Sequence, residues 1–223
     1  MKSTSRSKNL RSVFQSDMPS DLYAHIAQLC VLYEDLRIEV LGAGEEDMGE
    51  LDGTDARCRR YYFLRRSIAT LQEFSCALVS LNRFADFAII RNRFNEEIQS
   101  IWQQSVQFFR QHKHHLSGVR NDVGGHFGLK AARYAVENFR PGVAGTFELN
   151  EIRRRGATRT EIRLKFAGEI VATATFSSLP GTTEEESSKK EYDRLWRIVK
   201  EGYKRATEAA HVVAVCHLWG RFG

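Results

Sequence analysis

The segment Val119-Arg120-Asn121-Asp122-Val123-Gly124-Gly125-His126-Phe127-Gly128 concentrates the residue types that can handle a phosphodiester without a metal. Arg120 is a permanent cation whose planar fork matches phosphate oxygens. His126 is the one side chain whose unperturbed pKa allows proton exchange near neutral pH. Gly124 and Gly125 permit a close backbone approach or a turn that other residues resist. The chemistry such a set suits is proton transfer and charge stabilisation at a phosphodiester. In that reaction His126 serves as general base or acid, and Arg120 stabilises charge growing on the phosphoryl oxygens. Asn121 orients His126 or a phosphate. Backbone N–H groups of Gly128 and Leu129, at the start of a following helix, add a partial positive field for phosphate.

Spacing alone does not single out this pair. Arg110 with His115 and Arg205 with His211 offer a similar interval in the same chain. What distinguishes Arg120 and His126 is the asparagine after the arginine and the glycine-rich approach to a helix. Six residues of straight helix would hold the two side chains roughly 120° apart around the axis. A break at Gly124-Gly125 can return them to one side. A purely structural reading stays open beside the chemical one: the glycines shape a helix junction, Asn121 or Asp122 caps backbone groups, and Arg120 pairs with a carboxylate.

Arg120, Asn121 and His126, with five residues between arginine and histidine, resemble the signature of the HEPN family of small helical-bundle proteins. The resemblance covers the motif and the helical organisation from about Ser20 to Phe139. It implies a metal-independent endoribonuclease, with Arg120, Asn121 and His126 as the catalytic set and no cofactor. It also implies a homodimer that brings two motifs to one cleft, in a toxin–antitoxin or anti-phage setting with an antitoxin-like protein partner. A dimer suits the chemistry, because one histidine does not readily act as both acid and base in a single transfer.

The elements that must position these residues read as mainly α. Residues 1–19 form a polar, basic arm expected to be disordered, and residues 20–223 form a single helical domain. Leu22, Ile26, Leu29, Tyr33, Leu36 and Val40 keep helical spacing from Ser20 to about Leu41, where Gly42 and Gly44 are expected to stop the helix. An acidic loop follows. A second helix is predicted from about Arg57 to Arg83, with Leu64, Ile68, Leu71, Phe74, Leu78 and Leu81 as its stripe. Arg59, Arg60, Arg65 and Arg66 crowd its start, where positive charge opposes the helix dipole, so Arg59 and Arg60 are candidate RNA-binding residues. A third helix begins between Ile90 and Asn95, buries Trp102, and continues through about Leu116 as far as Arg120. Another spans about Leu129 to Phe139.

The period then shortens to two. Phe147 and Leu149, then Ile162, Leu164 and Phe166, then Ile170, Ala172, Ala174 and Phe176 alternate with polar residues. This predicts a small antiparallel β-meander inserted at about 145–178, with Arg153, Arg154 and Arg155 at its first turn as candidate phosphate contacts. Pro180 to Ser188 reads as a linker before a last amphipathic helix from about Lys189 to Val215.

The net charge of +5 favours anionic partners only mildly. Cys30, Cys58, Cys76 and Cys216 lack the spacing of a zinc or dithiol site, and Cys30 and Cys76 fall in apolar helical stretches. His112, His114 and His115 crowd one helix end, but cations there are favourable in themselves, so no metal is expected. The absence of a signal-like or membrane-length apolar run predicts a cytoplasmic protein without membrane contact. The arginine clusters also motivate a different class of function, a non-catalytic module that binds RNA, nucleotide or a partner protein.

Overall fold

The structure, a computed structural model, describes residues 20–44, 53–119, 129–138, 147–154, 157–164 and 184–213, together with 167, 170, 171 and 173. Its described elements are α1 (Ser20–Gly44), α2 (Gly53–Arg83), α3 (Ala85–Arg91), α4 (Glu96–Val119), α5 (Leu129–Glu137), β1 (Phe147–Arg154), β2 (Ala157–Leu164) and α6 (Glu184–Val213). The chain is mainly helical. The long helices form a bundle in which α1 lies beside α2, α2 beside α4, α4 beside α6 and α6 beside α1, with α2 also reaching α6.

The apolar stripes explain this arrangement. Leu22, Ile26, Leu29 and Leu36 of α1 are buried, as are Leu64, Ile68, Leu71, Phe74, Leu78 and Leu81 of α2. Trp102, Val106 and Phe109 of α4 and Leu195, Val199 and Ala206 of α6 complete one core. Such faces cannot be left in water, and packing them together is the main source of helix stability in a bundle. Phe74 meets Phe109 with ring centroids 5.5 Å apart, and Phe87 of α3 meets Trp102 at 4.9 Å. These ring pairs join α2 and α3 to α4.

Several boundaries differ from the sequence expectation. Gly42 does not stop α1, which runs on to Gly44. A Cβ at Gly42 would come within 2.6 Å of the Phe63 ring, so glycine serves there as a place of close helix approach. Beginning at Gly53, α2 has Asp55 in its first turn, which moves the arginines away from its unfavourable positive end. The expected third helix has a separate neighbour before it. Phe84, in extended backbone, divides α2 from the short α3. Asn95 then opens α4, its side-chain Oδ1 accepting the Ile98 N–H at 2.9 Å, with Glu96 and Glu97 in the first turn. Nor does the polar segment before the last helix remain a linker throughout, since α6 already begins at Glu184.

The β-meander is corrected. The described residues hold one antiparallel hairpin, β1 with β2, in which Leu149 faces Ile162 and Arg154 faces Ala157. In place of a third strand, Ile170, Val171 and Thr173 are helical. Short alternating apolar runs do not separate strand from helix by period alone, and Ala172 and Ala174 favour helix over strand. Leu149, Ile162 and Leu164 are exposed, so the hairpin contributes little to the core.

Candidate functional site

The whole Arg120–His126 motif lies outside the described residues, as does Gly128. Its two flanks are described. Helix α4 ends at Val119 and α5 begins at Leu129, which is 76% exposed. The expectation that the preceding helix reaches the motif therefore holds as far as Val119.

The other predicted contacts are dispersed. Arg59 donates from Nη2 to the Gly42 carbonyl at 3.2 Å and lies 5.6 Å from the centre of the Phe63 ring. It thereby closes the α1–α2 corner, where a cation meets carbonyls near a helix C-terminus. Arg60 is exposed on the next position. Arg153 and Arg154 end β1, opposite Thr158 and Ala157, while Arg155 lies outside the described residues. The competing arginine–histidine pair at Arg205 has a structural explanation. Arg205 binds Glu201 and Glu208, both at 2.9 Å, and donates to Gln104 Oε1 at 3.1 Å, tying α6 to α4.

Of the histidines near the end of α4, His112 is held within its own helix. His112 stacks on Phe108 at 4.3 Å, with its Nδ1 3.0 Å from the Phe108 carbonyl oxygen. Among the described residues no group of three or more His, Cys, Asp or Glu side chains converges for a metal. Cys30, Cys58 and Cys76 form no disulfide among the described residues, and burial pushes the Cys30 thiol up from its ordinary pKa. Cys76 is exposed although it falls in an apolar stretch of sequence.

A polar cleft of about 530 Å³ lies where the ends of α2 and α3 meet α4. Asn82 organises it. The Asn82 Oδ1 accepts from Arg91 Nη1 at 2.7 Å and from the buried Trp102 Nε1 at 2.8 Å. One amide thus fixes a cation at the end of α3 and the indole in the second turn of α4. Gln99, Gln103 and Gln107 line the cleft one turn apart along α4, and Arg110 follows at its rim. Asn92 adds a fifth amide. Among the described residues no carboxylate lines the cleft. Two guanidinium groups in a lining whose described residues include no acid favour an anion, and the amides offer both donors and acceptors beside it.

These residues escaped the sequence reading because they carry no short motif. A signal was nevertheless present. From Ile98 through Asn121 the chain contains neither Asp nor Glu, while it carries Arg110, Lys113 and Arg120. Gln103, Gln107, Arg110 and His114 recur at three- and four-residue intervals, which places them along one exposed side of α4.

A second polar centre lies between α1 and α2. Glu39 Oε1 accepts from Thr70 Oγ1 at 3.0 Å and lies 3.3 Å from Arg66 Nε. Burial raises the Glu39 carboxyl pKa, outweighing the opposing effects of Thr70 and Arg66, and Asp35 raises it further. Glu39 Oε2 is buried without a hydrogen-bond partner among the described residues, an arrangement less costly for the protonated acid than for the anion. Glu39 is buried in this centre, while the Arg66 side chain is partly open to solvent.

Among the described residues no helix is long and apolar enough to cross a membrane. The chain matches no protein-family model, no curated protein and no solved structure.

Proposed function

We propose that this chain is a HEPN-like, metal-independent endoribonuclease of the cytoplasm. The observation that carries the reading is Arg120-Asn121 with His126 in the segment that connects α4 to α5. Support comes from the mainly helical bundle and from the acid-free, cationic stretch of α4 that leads into the motif. In this reading His126 removes the proton from a ribose 2′-hydroxyl. The oxygen attacks phosphorus, the bond to the 5′-oxygen breaks, and a second acid returns a proton to that oxygen. His126 of a second copy is the natural second acid, so the active species is a homodimer. Arg120 holds the phosphoryl oxygens, and Asn121 orients the histidine or the phosphate. Its setting is a toxin–antitoxin or anti-phage system, with an antitoxin-like protein holding the activity in check.

The test is incubation of end-labelled single-stranded RNA with the purified chain in the presence of a chelator. Wild type yields fragments ending in a cyclic phosphate, and His126→Ala slows the reaction by about a hundred- to ten-thousand-fold. Equal cleavage by both proteins would refute the assignment of His126.

The amide- and arginine-lined cleft favours a second reading, a non-catalytic module for RNA or nucleotide. It predicts salt-sensitive RNA binding without turnover, and it is the conclusion to adopt if wild type binds RNA but leaves it intact.

A further inference from the structure

The cleft between the ends of α2 and α3 and the exposed side of α4 has no part in the chemistry assigned to Arg120 and His126. We infer that it is a separate binding site for a nucleotide unit, its phosphate held by Arg91 and Arg110 and its base edge read by the glutamines of α4.

Charge sets the ligand class. Arg91 and Arg110 both line the cleft, and among the described residues no carboxylate lines it and Arg110 has no ion pair. A metal cation is therefore disfavoured, whereas a phosphate finds two guanidinium groups suited to paired hydrogen bonds. Arg91 is already aimed. Its Nη1 is held by Asn82 Oδ1 at 2.7 Å, and Asn82 is itself fixed by the Trp102 indole. Little side-chain freedom remains to be lost there when an anion binds, and such preorganisation favours affinity.

The amides carry the argument from a simple anion to a nucleotide. A phosphate needs donors only. Gln103 and Gln107 each present a donor and an acceptor, and an amide side chain pairs with the adenine edge through both. They project from successive turns of α4, about 6 Å apart along its axis. The cleft volume of about 530 Å³ falls within the roughly 300–1,000 Å³ typical of small-ligand sites. Trp102 does not act as a stacking surface, because it is 1% exposed and its N–H is committed to Asn82. Base recognition here is by hydrogen bonding at the edge. A free nucleoside monophosphate and one unit of a single-stranded RNA share this chemistry.

Calorimetric titration of the full chain with adenosine 5′-monophosphate, adenosine, inorganic phosphate and a five-residue oligoadenylate tests the site. His126→Ala is the parent protein, so no cleavage intervenes and the outcome is independent of the ribonuclease reading. The monophosphate is expected to bind more tightly than adenosine or inorganic phosphate alone. Arg110→Gln is expected to weaken it roughly tenfold or more, as loss of a charge-assisted hydrogen bond implies. Gln107→Ala is expected to weaken the monophosphate while leaving inorganic phosphate unchanged. Both residues are exposed, so neither change disturbs the core. Tighter binding of the oligoadenylate than of the monophosphate identifies an RNA strand as the source, and equal binding identifies the free nucleotide. Absence of saturable monophosphate binding, or equal affinity in the parent and Arg110→Gln proteins, would overturn the proposal.

Discussion

Asn82→Leu is the most informative perturbation of the cleft, because one oxygen serves two donors. Its Oδ1 accepts from Arg91 at 2.7 Å and from Trp102 at 2.8 Å. Leucine keeps an appropriate size but offers no acceptor. The indole N–H, on a side chain 1% exposed, is then left in the core without its partner. An unsatisfied buried donor costs roughly 1–3 kcal/mol, and loss of a hydrogen bond to a charged group costs about 1.5–3 kcal/mol. Arg91 lies nearer the surface and recovers part of its loss from water. The expected destabilisation is therefore about 2–4 kcal/mol, read from urea unfolding followed by far-ultraviolet circular dichroism. Trp102→Phe separates the two contributions, because phenylalanine has no N–H to orphan. In that background Asn82→Leu should cost less by about 1–3 kcal/mol. Additivity of the two changes to within about 0.5 kcal/mol would refute the claim that Asn82 acts through the indole.

Glu39 and Gly202 give two further tests. Burial raises the Glu39 carboxyl above its ordinary value of 4.5, so the folded state retains a proton that the unfolded chain releases. Its stabilising contribution is complete below that ordinary value and is lost as pH rises through the folded-state value. Glu39→Gln should flatten this part of the stability profile, measured by urea unfolding at a series of pH values; an unchanged slope would show that the group is not linked to folding. Gly202 lies where α6 meets α2, and a Cβ there would sit 2.9 Å from both Leu71 methyl carbons. Alanine gains up to about 1 kcal/mol of helix propensity, against about 1–3 kcal/mol for overpacking a closed core. Gly202→Ala should therefore lower the unfolding midpoint, and a clear increase would mean that α6 does not approach so closely.

Helical spacing exposed the bundle because each long helix repeats its own stripe. Leu22, Ile26, Leu29 and Leu36 are sufficient to orient α1, and Leu64 through Leu81 orient α2. Local signals served less well where the decisive contact is distant. Gly42 reads as a stop until Phe63, from the next helix, is seen to need its space. Ile170 and Val171 read as strand by alternation, but the backbone there is helical. Phe84 shows no obvious break in sequence, yet its extended backbone lets α3 turn Phe87 against Trp102.

The two candidate sites differ in the same way. Arg120, Asn121 and His126 are legible because they lie close together along the chain, but proximity in sequence does not fix the angle between their side chains. The cleft is hard to read because Asn82, Arg91 and Trp102 are separated in sequence, yet two hydrogen bonds fix their relation in space. Helix α4 makes that relation durable. Its inner side buries Trp102, Val106 and Phe109, and the same turns present Gln103, Gln107 and Arg110 outward. Rotating α4 to displace the glutamines would also pull the tryptophan from the core and its N–H from Asn82. The packing that holds the bundle together therefore also sets the geometry of the cleft, and Asn82 is where the two requirements meet.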